Sequence, residues 1–276
     1  MFGSAIIVFR ETLEAALLIG IIAAATRGLS GRNLWLAIGV GAGLAGSLVV
    51  AGLTETIADM AEGSGQELFN AAVLGIAVLM LGWHNIWMAT HGREMAAQAK
   101  SVGNAVRSGQ REMSAVAILI ALAVLREGSE TALFLYGLAA SAGSSRASLL
   151  GGGLLGLAAG VAAGWALYSG LARIPLRHFF TVTSTLILFL AAGMAGQMAR
   201  LLVQGDLLHA FSTPLWDSSS LLPMDSLLGN LLHLFAGYEA RPSGMQVLFY
   251  VATFTIILAG MRWSRTRSPL RSPQTT

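Results

Sequence analysis

The sequence predicts an all-α membrane protein with seven transmembrane helices: two inverted three-helix repeats and one further helix at the C-terminal end. Three observations carry this. Of 276 residues, 55% are hydrophobic and only 11% are charged, whereas soluble domains carry roughly a quarter charged residues. Seven apolar stretches each reach the roughly 20 residues that a helix needs to cross the hydrocarbon core. A charged motif, Arg-Glu-x-x-Glu, occurs twice, both times inside such a stretch.

The stretches are taken in chain order. The first, about 2–26, could be mistaken for a signal peptide. Arg10, Glu11 and Glu14 interrupt it where a signal h-region should be unbroken, and no basic segment precedes it, so it reads as a membrane span. Spans follow at about 34–57, 68–91, 114–141, 148–171, 180–204 and 246–263. The connections are short except for 92–113, which reads as a basic linker, and 205–245. Within the latter, Leu227, Leu228, Leu231, Leu232 and Phe235 recur at helical spacing after Asp225, predicting a helix over 224–235 that lies on the membrane surface. The resulting units are 1–91, 92–113, 114–204, 205–245 and 246–276.

Charge assigns the sides. Arg27, Arg32, Arg93, Lys100, Arg107, Arg111, Arg173, Arg177, Arg262, Arg265, Arg267 and Arg271 fall on one side of the seven spans, against Arg146, Arg200 and Arg241 on the other. The positive-inside rule then places the N-terminus outside and the C-terminus in the cytoplasm. The basic residues are read as topology determinants, not as a nucleic-acid surface. The acids show the reverse bias, and an outer mouth rich in carboxylates would concentrate cations. Glu55, Asp59 and Glu62, at i, i+4 and i+7 near the outer end of the second span, are a candidate vestibule; a solvated helix end explains them equally well. The chain has no cysteine, which excludes disulfides, thiolate metal sites, iron–sulfur clusters and covalent haem.

The repeat is visible in the motif itself. Residues 9–17 read FRETLEAAL and residues 125–133 read LREGSETAL. Arg10 and Arg126 lie 116 positions apart, and both glutamates, an alanine and a leucine recur at the same offset. Small residues recur after each motif, at Gly39, Gly43, Ser47 and Ala51 in the second span and at Gly152, Gly156, Gly160 and Gly164 in the fifth. Such ridges let helix backbones approach closely. A three-span unit has an odd number of crossings, so its second copy enters the membrane from the opposite face. This is the inverted-repeat transporter arrangement, with a shared site expected near the midplane.

On a helix, Glu11 and Glu14 share a face, and Arg10 pairs with Glu14; Arg126, Glu127 and Glu130 repeat this. Each ionisable group in the membrane costs about 2.5–3.5 kcal/mol even on the lenient insertion scale. Six such groups must therefore face one another or an aqueous cavity. A helix-locking salt bridge explains one Arg and one Glu per helix and leaves the second Glu unexplained. Four convergent carboxylates are hard anionic oxygen ligands suited to a hard cation, non-haem iron included. Arg10 and Arg126 are the candidates for holding the acids while the site is empty. His84 and Asn85 in the third span could line the path, but a lone intramembrane histidine reads first as a helix–helix hydrogen bond. Met194 and Met198, four apart, read as apolar packing.

At these residues the chain resembles the oxidase-dependent iron permeases, the fungal high-affinity and bacterial EfeU-type transporters. Their hallmark is Arg-Glu-Gly-x-Glu in the first and fourth of seven spans. Residues 126–130 match it fully; residues 10–14 keep Arg and both Glu but carry Thr12 in place of glycine. The stretch from Gly237-Tyr238 to Arg241-Pro242-Ser243 is also similar. The resemblance implies iron import across the cytoplasmic membrane, with Glu11, Glu14, Glu127 and Glu130 as the iron path, and iron as cargo, not as a tightly bound cofactor. It also implies extracytoplasmic partners, one peroxidase-like and one containing a cupredoxin. Lead or manganese is an alternative cation, and a proton-coupled carrier of another solute is an alternative mechanism. No His-Glu-x-x-His or other hydrolytic constellation accompanies the motif, so an enzyme is not expected.

Overall fold

A computed structural model describes residues 1–60, 66–142, 145–170, 176–224 and 226–267. Among these residues the fold is helical: α1 (Phe2–Ala25), α2 (Arg32–Met60), α3 (Gln66–Arg107), α4 (Ser114–Ala142), α5 (Arg146–Tyr168), α6 (Leu176–Gln204), α7 (Leu227–Ala236) and α8 (Gly244–Arg267). The extended pairing described is a single bridge between Pro214 and Ser243.

Segments of α2, α3, α5, α6 and α8 are long and apolar enough to cross a membrane. The helices α1 and α4 have similar length, 24 and 29 residues, but each carries an Arg and two Glu near its middle. That places them away from lipid, and they lie inside the bundle: Ile7, Leu13 and Ile22 of α1 and Ile120 and Phe134 of α4 are at most 1% exposed. The outer helices turn apolar side chains outward, among them Leu48 and Leu53 of α2, Leu154 and Leu155 of α5, and Val251 and Ile256 of α8. A polytopic membrane protein is the consistent reading, since this much exposed aliphatic surface requires lipid.

The closest helix contacts pair α1 with α5 and α2 with α4, and small residues explain both. A Cβ at Gly152 would lie 2.1 Å from the Met1 carbonyl oxygen, at Gly156 2.3 Å from the Ala5 carbonyl oxygen, and at Gly160 2.7 Å from Thr12 Cβ. On the other pair, a Cβ at Gly39 would lie 2.7 Å from the Ala117 carbonyl oxygen, and at Gly43 2.7 Å from the Ala121 carbonyl oxygen. Ala117 and Ala121 follow Met1 and Ala5 by the same 116 positions that separate the motifs. The correspondence accounts for Thr12. In α1 the larger Thr12 packs on Gly160; in α4 the glycine is Gly128, and the larger residue is Ser47 on α2. The interface conserves volume by exchanging which helix carries the side chain.

Two expectations need correction. Residues 92–107, expected as a linker outside the third span, are helical and continue α3, which runs for 42 residues, about 63 Å at 1.5 Å per residue, twice the hydrocarbon thickness. Its far end is held by apolar burial, with Ala99 and Val106 packed among Leu18, Ile22, Val116, Ile120 and Val124. The helix ends at Arg107, and the chain turns away at Gly109, whose φ of +76° suits glycine. The helix expected over 224–235 begins later: α7 starts at Leu227, capped by Ser226, whose hydroxyl accepts from Gly229 N at 3.0 Å. It ends at Gly237, in the left-handed region at φ +66°. Gly237 also touches Gly193 of α6, where a Cβ would meet its Cα at 3.0 Å. The stretch after it ties the long connection together: Tyr238 Oη shares a 2.6 Å hydrogen bond with Ser218 Oγ and donates to Leu222 O at 3.1 Å. Met194 is buried in the main core and Met198 packs against that core, as expected.

Candidate functional site

The site follows from which stripe of α1 faces where. The residues that meet the α5 glycines are Met1, Ser4, Ala5, Val8, Phe9, Thr12 and Ala16. On another face, Ile7, Glu11, Glu14, Leu18 and Ile22 recur at helical spacing and are all buried. The carboxylates therefore sit on a core-facing stripe. In α4 the positions equivalent to Leu18 and Ile22 are Phe134 and Leu138, also buried, and they carry Glu127 and Glu130 inward with them. Helix α3 crosses both and inserts His84.

The structure brings the motif acids together. One ligand atom each from Glu11, His84, Glu127 and Glu130 lie within 4.8 Å of one another. Arg10, 1% exposed, has Nε 3.0 Å from Glu14 Oε1 and Nη1 3.5 Å from Glu11 Oε1. Arg126 has Nε 3.1 Å from Glu130 Oε1 and 3.5 Å from Glu127 Oε1. The two motifs thus pair internally in the same way. Glu14 is the exception among the acids, lying beside Arg10 and outside the four-donor group. The motifs also differ in enclosure: Arg126 is one-third exposed and lies 4.6 Å over the Trp87 ring. A cavity of about 200 Å³, lined by Met80, Trp83, His84, Trp87, Arg126 and Glu130, reaches the cluster from that side.

His84 does more than the sequence suggests. It is 3% exposed, its Nδ1 contacts Glu130, and its Nε2 lies 3.5 Å from Glu14 Oε2 and 3.8 Å from Glu11 Oε2. It makes the interhelical contact, and it also stands in the carboxylate cluster. No spacing rule links it to the motifs; the available signal is that an ionisable group in a span defaults to a functional position. Asn85 points elsewhere, its Nδ2 donating to Ser184 O of α6 at 3.0 Å. The side chains of Glu55 and Asp59, and all of Glu62, lie outside the described residues.

Chemically, the cluster is a buried group of anionic oxygens with spare capacity. Glu11 Oε2, Glu14 Oε2 and Glu127 Oε2 are buried and make no hydrogen bond, while Glu130 Oε2 meets His84 Nδ1. Buried carboxylate oxygens left unmatched cost several kcal/mol, and a cation would supply the missing contact. With all four glutamates ionised and His84 neutral, the two arginines leave an excess of two negative charges, which a divalent cation would balance.

A helical membrane protein with a buried, charge-rich carboxylate chamber belongs to the class of ion transporters. Comparison with known proteins agrees: residues 1–270 match the iron permease FTR1 family. The chain is similar to the ferrous iron permease EfeU of Escherichia coli O6:H1 (strain CFT073), 35% identical over 252 residues, covering 90% of each chain. It is also 32% identical over 255 residues to the ferrous iron permease EfeU of Yersinia pestis, covering 91% of this chain and 89% of the relative. No solved structure matches it. The chain belongs to the iron permease FTR1 family, and it is a transporter, not an enzyme.

Proposed function

We propose that this protein imports iron across the cytoplasmic membrane by passing the ion through a chamber built from Glu11, Glu14, Glu127 and Glu130. The observation that carries this is the meeting of unpartnered carboxylate oxygens from two motif helices at one buried point. Arg10 and Arg126 hold the acids between ions and yield them when a cation enters. The cavity beside Trp87 and Arg126 is one approach to the cluster.

The chamber rests on a wider arrangement. α1–α3 and α4–α6 form two inverted repeats, α8 is the seventh span, the N-terminus is outside and the C-terminus is cytoplasmic. Support comes from the matched contacts of α1 with α5 and α2 with α4, at residues offset by 116, and from the basic residues gathered on one side. The long outer connection carrying α7 is the surface that extracytoplasmic redox partners would meet.

The experiment is uptake by the purified chain in proteoliposomes, with Fe(II), Fe(III), Mn(II) and Pb(II) offered separately. Wild type takes up iron, and Glu11→Gln and Glu127→Gln do not. Iron uptake unchanged in both variants refutes the carboxylate path, and uptake of lead or manganese without iron refutes iron as the cargo.

A further inference from the structure

We propose that His84 is an inner-sphere metal donor through Nε2, so that the chamber is a mixed nitrogen–oxygen site selective for borderline transition-metal ions. This rests on the carboxylate path above and deepens it.

The imidazole is oriented as metal-binding histidines usually are. In such sites one ring nitrogen is held by a carboxylate or carbonyl, which sets the tautomer, and the other is left for the metal. Here Nδ1 contacts Glu130, and that carboxylate is in turn held by Arg126 at 3.1 Å. Nε2 is buried, has no hydrogen-bond partner, and faces Glu11 and Glu14. Nδ1 alone suffices to join α3 to α4; Nε2 is turned toward the α1 acids at 3.5 and 3.8 Å. At 3% exposure, Nε2 approaches these two carboxylates without closing a hydrogen bond to either, and it is aimed into a group whose donor atoms lie within 4.8 Å of one another. Packing fixes the position: the next residue, Asn85, ties α3 to α6, and Leu81, one turn earlier, is fully buried in the core.

The donor set decides which ions are accepted. Carboxylates alone suit magnesium, calcium and manganese; an imidazole shifts preference toward iron, nickel and zinc. One nitrogen beside the oxygens of Glu11 and Glu127 would hold Fe(II) against the far more abundant Mg(II). The arrangement separates two tasks that the repeat alone cannot. The duplicated acids supply charge, and the single histidine supplies discrimination.

The test uses the full chain in lipid nanodiscs under anaerobic conditions, loaded with Fe(II) and read by iron K-edge X-ray absorption and by Mg(II) competition. Wild type shows the outer-shell scattering of a bound imidazole. His84→Ala loses that scattering, weakens Fe(II) binding by at least about tenfold, and leaves Mg(II) binding within about twofold, erasing the preference. Iron bound to wild type without imidazole scattering overturns the proposal with no variant needed. Glu127→Gln separates the two ideas. If it abolishes binding while the wild-type ion lacks imidazole, the carboxylate path stands and the histidine role fails. If it leaves Fe(II) fully bound, the carboxylate path and the proposal built on it fall together.

Discussion

Swapping the side chains at the α2–α4 contact tests the packing that delivers the motif helices to one another. A Cβ on Gly128 would stand 2.1 Å from Ser47 Oγ and 2.6 Å from Ser47 Cβ, far inside van der Waals contact. Gly128→Thr must therefore push α2 from α4 or force Ser47 off its rotamer, an overpacking cost of about 1–3 kcal/mol. Ser47→Gly removes the obstacle. On its own it loses the hydroxyl bond to Gly43 O at 2.9 Å and adds a helical glycine costing roughly 0.5–1 kcal/mol. The double variant recreates on α4 and α2 the arrangement that Thr12 and Gly160 already make on α1 and α5, so most of the threonine penalty should vanish. The expected coupling is about 1–2 kcal/mol, read as a double-mutant cycle of reversible unfolding in mixed micelles with iron uptake measured in parallel. A neutral Gly128→Thr, or a serine-to-glycine change that rescues nothing, would refute the exchange of volume between the repeats.

Other perturbations reach different parts of the account. Arg10→Ala leaves Glu11 and Glu14 buried without their base; unfolding measurements should show a loss of about 3–5 kcal/mol, with Arg10→Lys recovering part of it. Gly156→Ala drives a Cβ to 2.3 Å from a backbone oxygen of α1, whereas nothing lies within 4 Å of a Cβ at Gly41; thermal melting should therefore punish the first and ignore the second. Gly237→Ala meets both the left-handed backbone, costing about 1–2 kcal/mol, and the Gly193 contact, and should loosen the 205–243 connection, detectable as faster proteolysis there. Trp87→Leu removes the ring beneath Arg126, worth about 0.5–2 kcal/mol, and should alter the kinetics of iron entry more than equilibrium iron binding.

The helices were legible because lipid demands long apolar runs, and the motifs because three charges inside such a run have few explanations. The small-residue ridges also translated directly, since Gly39, Gly43, Gly152, Gly156 and Gly160 all lie against a partner backbone or Cβ. What composition concealed was the extension of α3 past residue 91. Its polar, basic sequence looks like a linker, yet Ala99, Gly103 and Val106 share one face and pack on α1 and α4. Thr12 stands where the motif has glycine, and the sequence of α1 cannot explain it, because Gly160, on another helix, is what accommodates it. His84 is legible only as a residue that could line the path; its place among the acids comes from three helices crossing at one point, which no pattern along α3 reports.

The claim on which the rest depends is that the acids of α1 and α4 hold one ion jointly. Equilibrium dialysis of the purified chain against radioactive Fe(II), with wild type, Glu11→Gln and Glu127→Gln side by side, measures it directly. A single tight ion per chain that is lost in each variant is the predicted result. Two independent ions per chain, each abolished by only one of the variants, would contradict it.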